Sequence, residues 1–181
     1  MLFQDVSLNT GRTDFLRTLE RMGADVVIRN TGYSGKEPYG TMTIRYSPDL
    51  CGCEIPGDKI ASLVDEVPVL AFVAAHARGI TVFRDASELR AKETDRLAAI
   101  CAGLDVLGVD SWTEGDDLFI QGQPGLKADR GLVFDSRGDH RLAMTWSLVG
   151  LTGNVPVSVT NFESVEVSYP DFLHDIEELI R

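Results

Sequence analysis

"LERMGADVVI" (19–28) and "LDVLGVDSWT" (104–113) decide the architecture of this chain. Each reads as the end of a helix, a glycine, a small apolar residue, an aspartate and the start of a strand. Gly23 and Gly108 fit the left-handed position that follows a helix C-terminus. Each copy then passes through a glycine-containing turn into a second strand, "TMTIRY" (41–46) or "DLFIQG" (117–122), so both read as hairpins. The chain therefore repeats itself at an interval of roughly eighty residues.

A second correspondence supports the first. "DEVPVLAFVAAHARGITVFRDASE" (65–88) resembles "DHRLAMTWSLVGLTGNVPVSVTNFES" (139–164). Both have a polar start, a small-residue apolar helix, a glycine break and a strand rich in Val, Thr and Phe. The apolar residues run almost all round these helices, which predicts burial on most sides. Pro68 falls in the first turn of its helix, where a missing N–H costs little. The middle unit reads in full as "CGCEIP", a helix over 62–77, "ITVFRD", a helix over 94–107, "DSWTE" and "DLFIQG". The first unit lacks its opening strand and helix, and the last ends after "YPDFLHDIEELI" without its hairpin. The expected fold is α/β, built of repeated βαβαββ units with buried helices and mixed sheets outside. Residues 1–181 form a single domain on this reading, of about two and a fraction units, open at both ends.

Composition bounds the function. A net charge of −11 argues against nucleic acid and anionic membrane as main partners. The longest apolar stretch, Val67 to Ala77, is too short to span a bilayer, and "MLFQDVSLNTGR" has no signal-peptide pattern. Three cysteines fit a reducing, cytoplasmic compartment better than a disulfide framework. Cys51 and Cys53 would share one face of a strand, but a structural zinc site needs two more ligands. No metal site is expected.

The densest charge lies in "SELRAKETDRLA" (87–98), just ahead of the apolar stripe Leu97, Ile100, Cys101, Leu104 and Leu107. Thr94 or Asp95 is placed to cap this helix. With the turn helical from 92, Lys92, Glu93 and Arg96 project to one side. Two readings stay open on spacing. Glu88–Lys92 and Glu93–Arg96 are surface pairs worth a few tenths of a kcal/mol, or the cations serve a bound anion. Cations at a helix N-terminus oppose the macrodipole, and "RGDHRLAM" (137–144) repeats the anomaly. There Asp139 is a good N-cap, yet His140 and Arg141 occupy the first turn. The matching start of the 62–77 helix carries acid, Asp65 and Glu66. Convergence of these three helix starts would assemble guanidinium clamps, an ammonium and carboxylates for proton transfer.

"SELRAKETDRL", "DEVPVL", "RGDHRLAM" and "VSYPDF", in this order, resemble the C-terminal part of the 5-enolpyruvylshikimate-3-phosphate synthase (3-phosphoshikimate 1-carboxyvinyltransferase) family. "LNTGRTDFLRTLERMGADV" resembles the stretch that leads into them. The resemblance implies transfer of the enolpyruvyl group of phosphoenolpyruvate to the 5-hydroxyl of shikimate 3-phosphate, with release of phosphate. It implies addition then elimination, no metal or organic cofactor, and a place in aromatic amino acid biosynthesis. By motif, Asp65 would be the base near the 5-hydroxyl and a ligand of the ring. Lys92 would contact both substrates and share in proton transfer. Glu93 would protonate and deprotonate the methylene carbon. Arg96 and Arg141 would grip phosphoenolpyruvate with His140 beside them, and Glu88 stands where a polar residue contacts shikimate 3-phosphate. Some members carry a lysine just before the aromatic-Pro pair; here the position is Val167.

The resemblance implies relatives a little over twice as long, with two such lobes, of which these residues are expected not to include the N-terminal one. The expectation is one incomplete lobe, a fragment carrying half the site and inactive alone. A UDP-N-acetylglucosamine enolpyruvyl transferase and a non-catalytic lobe of the same fold are the alternatives. "KETDR" with "DHRxAM" favours the shikimate enzyme.

Overall fold

The computed structural model of the chain describes residues 1–127, 130–153 and 155–179. Ile180, the end of the "YPDFLHDIEELI" stretch, lies outside them. The chain opens with β1 (Leu2–Ser7), α1 (Asp14–Arg21) and the hairpin β2 (Asp25–Ser34) and β3 (Glu37–Arg45). The central unit follows: β4 (Glu54–Ile55), α2 (Gly57–Leu63), α3 (Val67–Ala75), β5 (Gly79–Phe83), α4 (Arg96–Val106), β6 (Ser111–Glu114) and β7 (Asp117–Gly122). The last part holds β8 (Leu132–Asp135), α5 (His140–Ser147), α6 (Val149–Gly153), β9 (Val157–Thr160) and α7 (Phe172–Leu179).

The repeat appears in the sheets. One sheet has the order β1-β3-β2, a second β4-β5-β7-β6 and a third β8-β9. β4 pairs parallel to β5, while β5 and β6 pair antiparallel to β7, so the complete sheet is mixed. Strand, 3₁₀ turn and helix recur three times, with the turns at Thr10–Arg12, Ser87–Ala91 and Phe162–Val167. Gly23 and Gly108 close their helices at φ of 95° and 73°. Helices lie inside: α3 buries Val67, Leu70, Ala71, Phe72, Ala74 and Ala75. Trp146 of α5 is fully buried and stacks on Phe134 of β8 at 5.2 Å.

Three local expectations change. The helix expected over 62–77 is two helices, broken at Val64–Glu66. Pro68 is the reason. It has no N–H to give the Val64 carbonyl, and its ring crowds that carbonyl, so a helix cannot run through. The helix expected over 94–107 begins at Arg96, because the Asp95 carboxylate accepts the Ala98 N–H at 3.1 Å and caps it. Lys92 is extended (φ −92°, ψ −159°), so Lys92 and Glu93 precede the helix instead of lying on it. In the "CGCEIP" strand only Glu54 and Ile55 join the ladder, with one isolated bridge from Cys51 to Arg78. Cys51 is exposed, whereas Cys53 packs partly against the core.

Candidate functional site

The starts of α3, α4 and α5 meet at one point. Asp139 caps α5, with Oδ1 accepting the N–H groups of Arg141 and Leu142 at 2.8 and 3.3 Å. Its other oxygen accepts Nε of Arg96, the first residue of α4, at 2.8 Å. Arg96 also donates through Nη1 to the Val64 carbonyl at 3.1 Å and to Asp65 Oδ1 at 3.2 Å. Its Nη2 donates to Glu93 Oε2 at 2.9 Å. The Val64 carbonyl is the one that Pro68 deprives of a helical partner, so the break before α3 creates an acceptor that Arg96 uses.

Arg141 completes the circuit, donating through Nη2 to Asp65 Oδ2 at 3.1 Å. His140 Nδ1 stands 3.9 Å from Glu93 Oε1. Asp65, Glu93, Arg96, His140 and Arg141, which sequence reasoning gathered from three separate stretches, are therefore brought together. Lys92 and Glu88 are exposed on the same segment and make no ion pair among the described residues; the expected Glu88–Lys92 surface pair does not form. Glu93–Arg96 does form, but not as a surface pair, since the Arg96 side chain is 1% exposed.

The two arginines differ in what they have left to offer. Four of the five N–H groups of Arg96 are taken by protein acceptors. Burial alone would depress its pKa, but the hydrogen bond and charge of Asp139, with Glu93 and Asp65 behind, outweigh it and hold the guanidinium above its ordinary value. Arg141 is about one-third exposed, and its Nε is buried without a hydrogen-bond partner among the described residues. It faces a cavity of about 180 Å³ lined by Asp65, Glu66, Val69, Met144, Leu148 and Phe172, among others.

Three further residues shape this site beyond what their sequence motifs indicate. Asp139, an N-cap by its position, also holds Arg96. Glu66 was part of an acidic helix start; in the structure burial, and then the negative charge of Asp65, push its carboxyl up. Arg90 had no role. It donates to Asp116 at 2.9 Å, Asp95 at 3.2 Å and the Gly115 carbonyl at 2.7 Å, pinning the Lys92–Glu93 segment to the β6–β7 turn. A cation followed five residues later by the capping aspartate was the available signal. Val167 is 90% exposed, with no cation at that position.

A larger cavity, about 480 Å³, lies at the far end of α3 between Phe72, Val73, His76, Tyr46, Leu50 and Lys127. It shares no residue with the cluster of charges. Size alone does not make a site; the charges from three helix starts that converge around Arg96 mark the other end. Among the described residues no group of three or more His, Cys, Asp or Glu is arranged to hold a metal ion. No helix among them is long and apolar enough to cross a membrane.

Residues 2–176 match the family described as EPSP synthase (3-phosphoshikimate 1-carboxyvinyltransferase). The chain belongs to the EPSP synthase family. A relative from Roseiflexus castenholzii, named 3-phosphoshikimate 1-carboxyvinyltransferase, is 47% identical over 167 residues, covering 92% of this chain and 38% of the relative. One of the same name from Persephonella marina is 39% identical, covering 99% of this chain and 41% of the relative. An EPSP synthase structure from Acinetobacter baumannii superposes with a TM-score of 0.87 at 34% identity, over 94% of this chain and 39% of that one. The enolpyruvyl transferase NikO from Streptomyces tendae shares the fold, with a TM-score of 0.70 at 19% identity over 98% of this chain and 38% of that one. This member of the EPSP synthase family thus spans about 40% of the length of the curated relatives it matches.

Proposed function

We propose that this chain carries one half of an enolpyruvyl transfer site, acting on phosphoenolpyruvate and shikimate 3-phosphate with release of inorganic phosphate. One observation carries the reading: two guanidiniums, an imidazole and two carboxylates from three helix starts converge on one point. The substrates are polyanions and the reaction moves protons on and off carbon and oxygen, so cations and carboxylates are needed side by side.

In this reading Arg141, whose side chain is about one-third exposed, takes the carboxylate or phosphate of phosphoenolpyruvate, and Arg96 lends its charge from behind. Glu93, exposed between Arg96 and His140, serves the methylene carbon; Asp65, held by both arginines, serves the acceptor hydroxyl. Lys92, exposed on the same segment, would contact both substrates, and the exposed Glu88 shikimate 3-phosphate. The 181 residues are one incomplete lobe; the core that α3, α4 and α5 share supports this, as does the coverage of the relatives. The other substrate contacts belong to the lobe that these residues do not include. Three unpaired cysteines fit a reducing cytoplasm.

A coupled phosphate-release assay tests the proposal. The chain alone is expected to show no turnover, and the chain mixed with the N-terminal portion of the Roseiflexus castenholzii relative to show some. Turnover by the chain alone near that of a full-length relative overturns the half-site reading. No turnover in the mixture, with no phosphoenolpyruvate binding, overturns the function.

A further inference from the structure

Asp139 is charged, fully buried and divided between two elements. One oxygen caps α5. Capping by itself needs no charge, since Ser and Asn cap helices about as well as Asp. The second oxygen and the charge are therefore surplus to the cap, and both are directed at Arg96 Nε. The remaining contacts of Arg96 run to Val64, Asp65 and Glu93, and Arg141 binds Asp65 in turn. The carboxylates of Glu93 and Asp65 are 46% and 36% exposed, so on their own they would form loose, solvent-screened pairs. Asp139 is the partner that keeps the guanidinium inside, where it can hold both of them.

We propose that Asp139 is a positioning residue of this site. It lies too deep to meet a substrate, and acts by fixing the Arg96 guanidinium, which fixes Glu93 and Asp65 relative to His140 and Arg141. The proposal rests on the enolpyruvyl-transfer reading only for what the positioned groups do.

Asp139→Asn and Asp139→Ser in the 181-residue chain both keep a capping oxygen and remove the charge. Hydrogen exchange followed by NMR reads two things separately: the Arg141 and Leu142 amides report the cap, and the Arg96 Nε–H reports the positioning. The expected result is amide protection kept, with Arg96 Nε–H exchange faster by roughly ten- to a hundredfold, the scale of one lost charge-assisted hydrogen bond. Unchanged Arg96 protection in a folded variant overturns the proposal, because Asp65 and Glu93 then suffice. Loss of the α5 amides together with global unfolding in both variants also overturns it, by making Asp139 purely structural. Neither readout needs a substrate. The expected exchange pattern in a chain that supports no transfer in any mixture would remove the function and leave the positioning intact.

Discussion

Arg96 Nε lies 2.8 Å from Asp139 Oδ2, and the two side chains are 1% and 0% exposed. Neither charge has water to fall back on. Arg96→Met is expected to strand Asp139 as an unpaired buried anion and cost about 3–5 kcal/mol. Arg96→Lys keeps the charge but loses the fork that serves four acceptors, and should fall between the two. Urea denaturation of the three chains reads the order.

Gly103 of α4 faces Trp146 so closely that a β-carbon would stand 2.1 Å from the indole. Replacing glycine by alanine inside a helix normally gains about 1 kcal/mol. Here the indole is fully buried and stacked on Phe134, so it cannot withdraw. Overpacking, at about 1–3 kcal/mol, wins. Gly103→Ala should lower the melting temperature; a rise would show that α4 and α5 can slide apart.

Arg141 and Glu93 are partly exposed, so their loss should cost under about 1 kcal/mol of stability. Their effect on function should be far larger. Arg141→Ala should weaken phosphoenolpyruvate binding at least about tenfold, as expected for loss of a charged hydrogen-bond donor. Glu93→Gln should slow phosphate release in the two-part mixture about a hundredfold or more. Calorimetry and the release assay measure these in turn, with melting curves as the control.

His76, at the end of α3, has its pKa pushed below its ordinary 6.5 by burial among Phe72 and the lining of the larger cavity. The folded chain therefore binds this proton less readily than the unfolded chain. The stability that His76 contributes is present above pH 6.5 and is lost as the pH falls through its lowered folded value. His76→Gln should flatten the stability–pH curve in that window. A wild-type curve already flat there would mean that protonated His76 finds a partner.

Glu66 works in the opposite direction. Its pKa is raised from 4.5 by burial and by Asp65, so its favourable contribution is present below 4.5 and lost as the pH rises through the raised folded value. Glu66→Gln removes that loss and should raise the melting temperature at pH 7 relative to pH 4. Thermal scans of both chains at the two pH values give the comparison.

Much of this was legible in the chain itself. The paired "LERMGADVV" and "LDVLGVDSW" segments determined the repeat, because a glycine after a helix and alternation before a turn are local signals that packing rarely overrides. The break inside 62–77 was legible in principle too, since Pro68 kinks or breaks a helix that runs through it. Capping preference gave Asp139, and narrowed the other cap to Thr94 or Asp95, of which the structure uses Asp95. The motifs "DEVPVL", "KETDR" and "DHRLAM" held the residues that meet, Asp65, Glu93, Arg96, His140 and Arg141, together with Lys92, which stays outside the cluster.

The tertiary structure alone decided how they meet. Whether an arginine in a first turn is solvated or buried depends on what packs beside it, and the decisive acceptors of Arg96 come from 31 to 43 residues away. Charge patterning along the chain cannot report such a partner, because the separation in space is set by how α3, α4 and α5 bury their apolar sides together. "SELRAKETDRLA" therefore divides in a way its own spacing does not reveal: Arg96 goes inside, fixed by Asp139, while Lys92 and Glu93 stay at the surface, ahead of the helix that Asp95 begins.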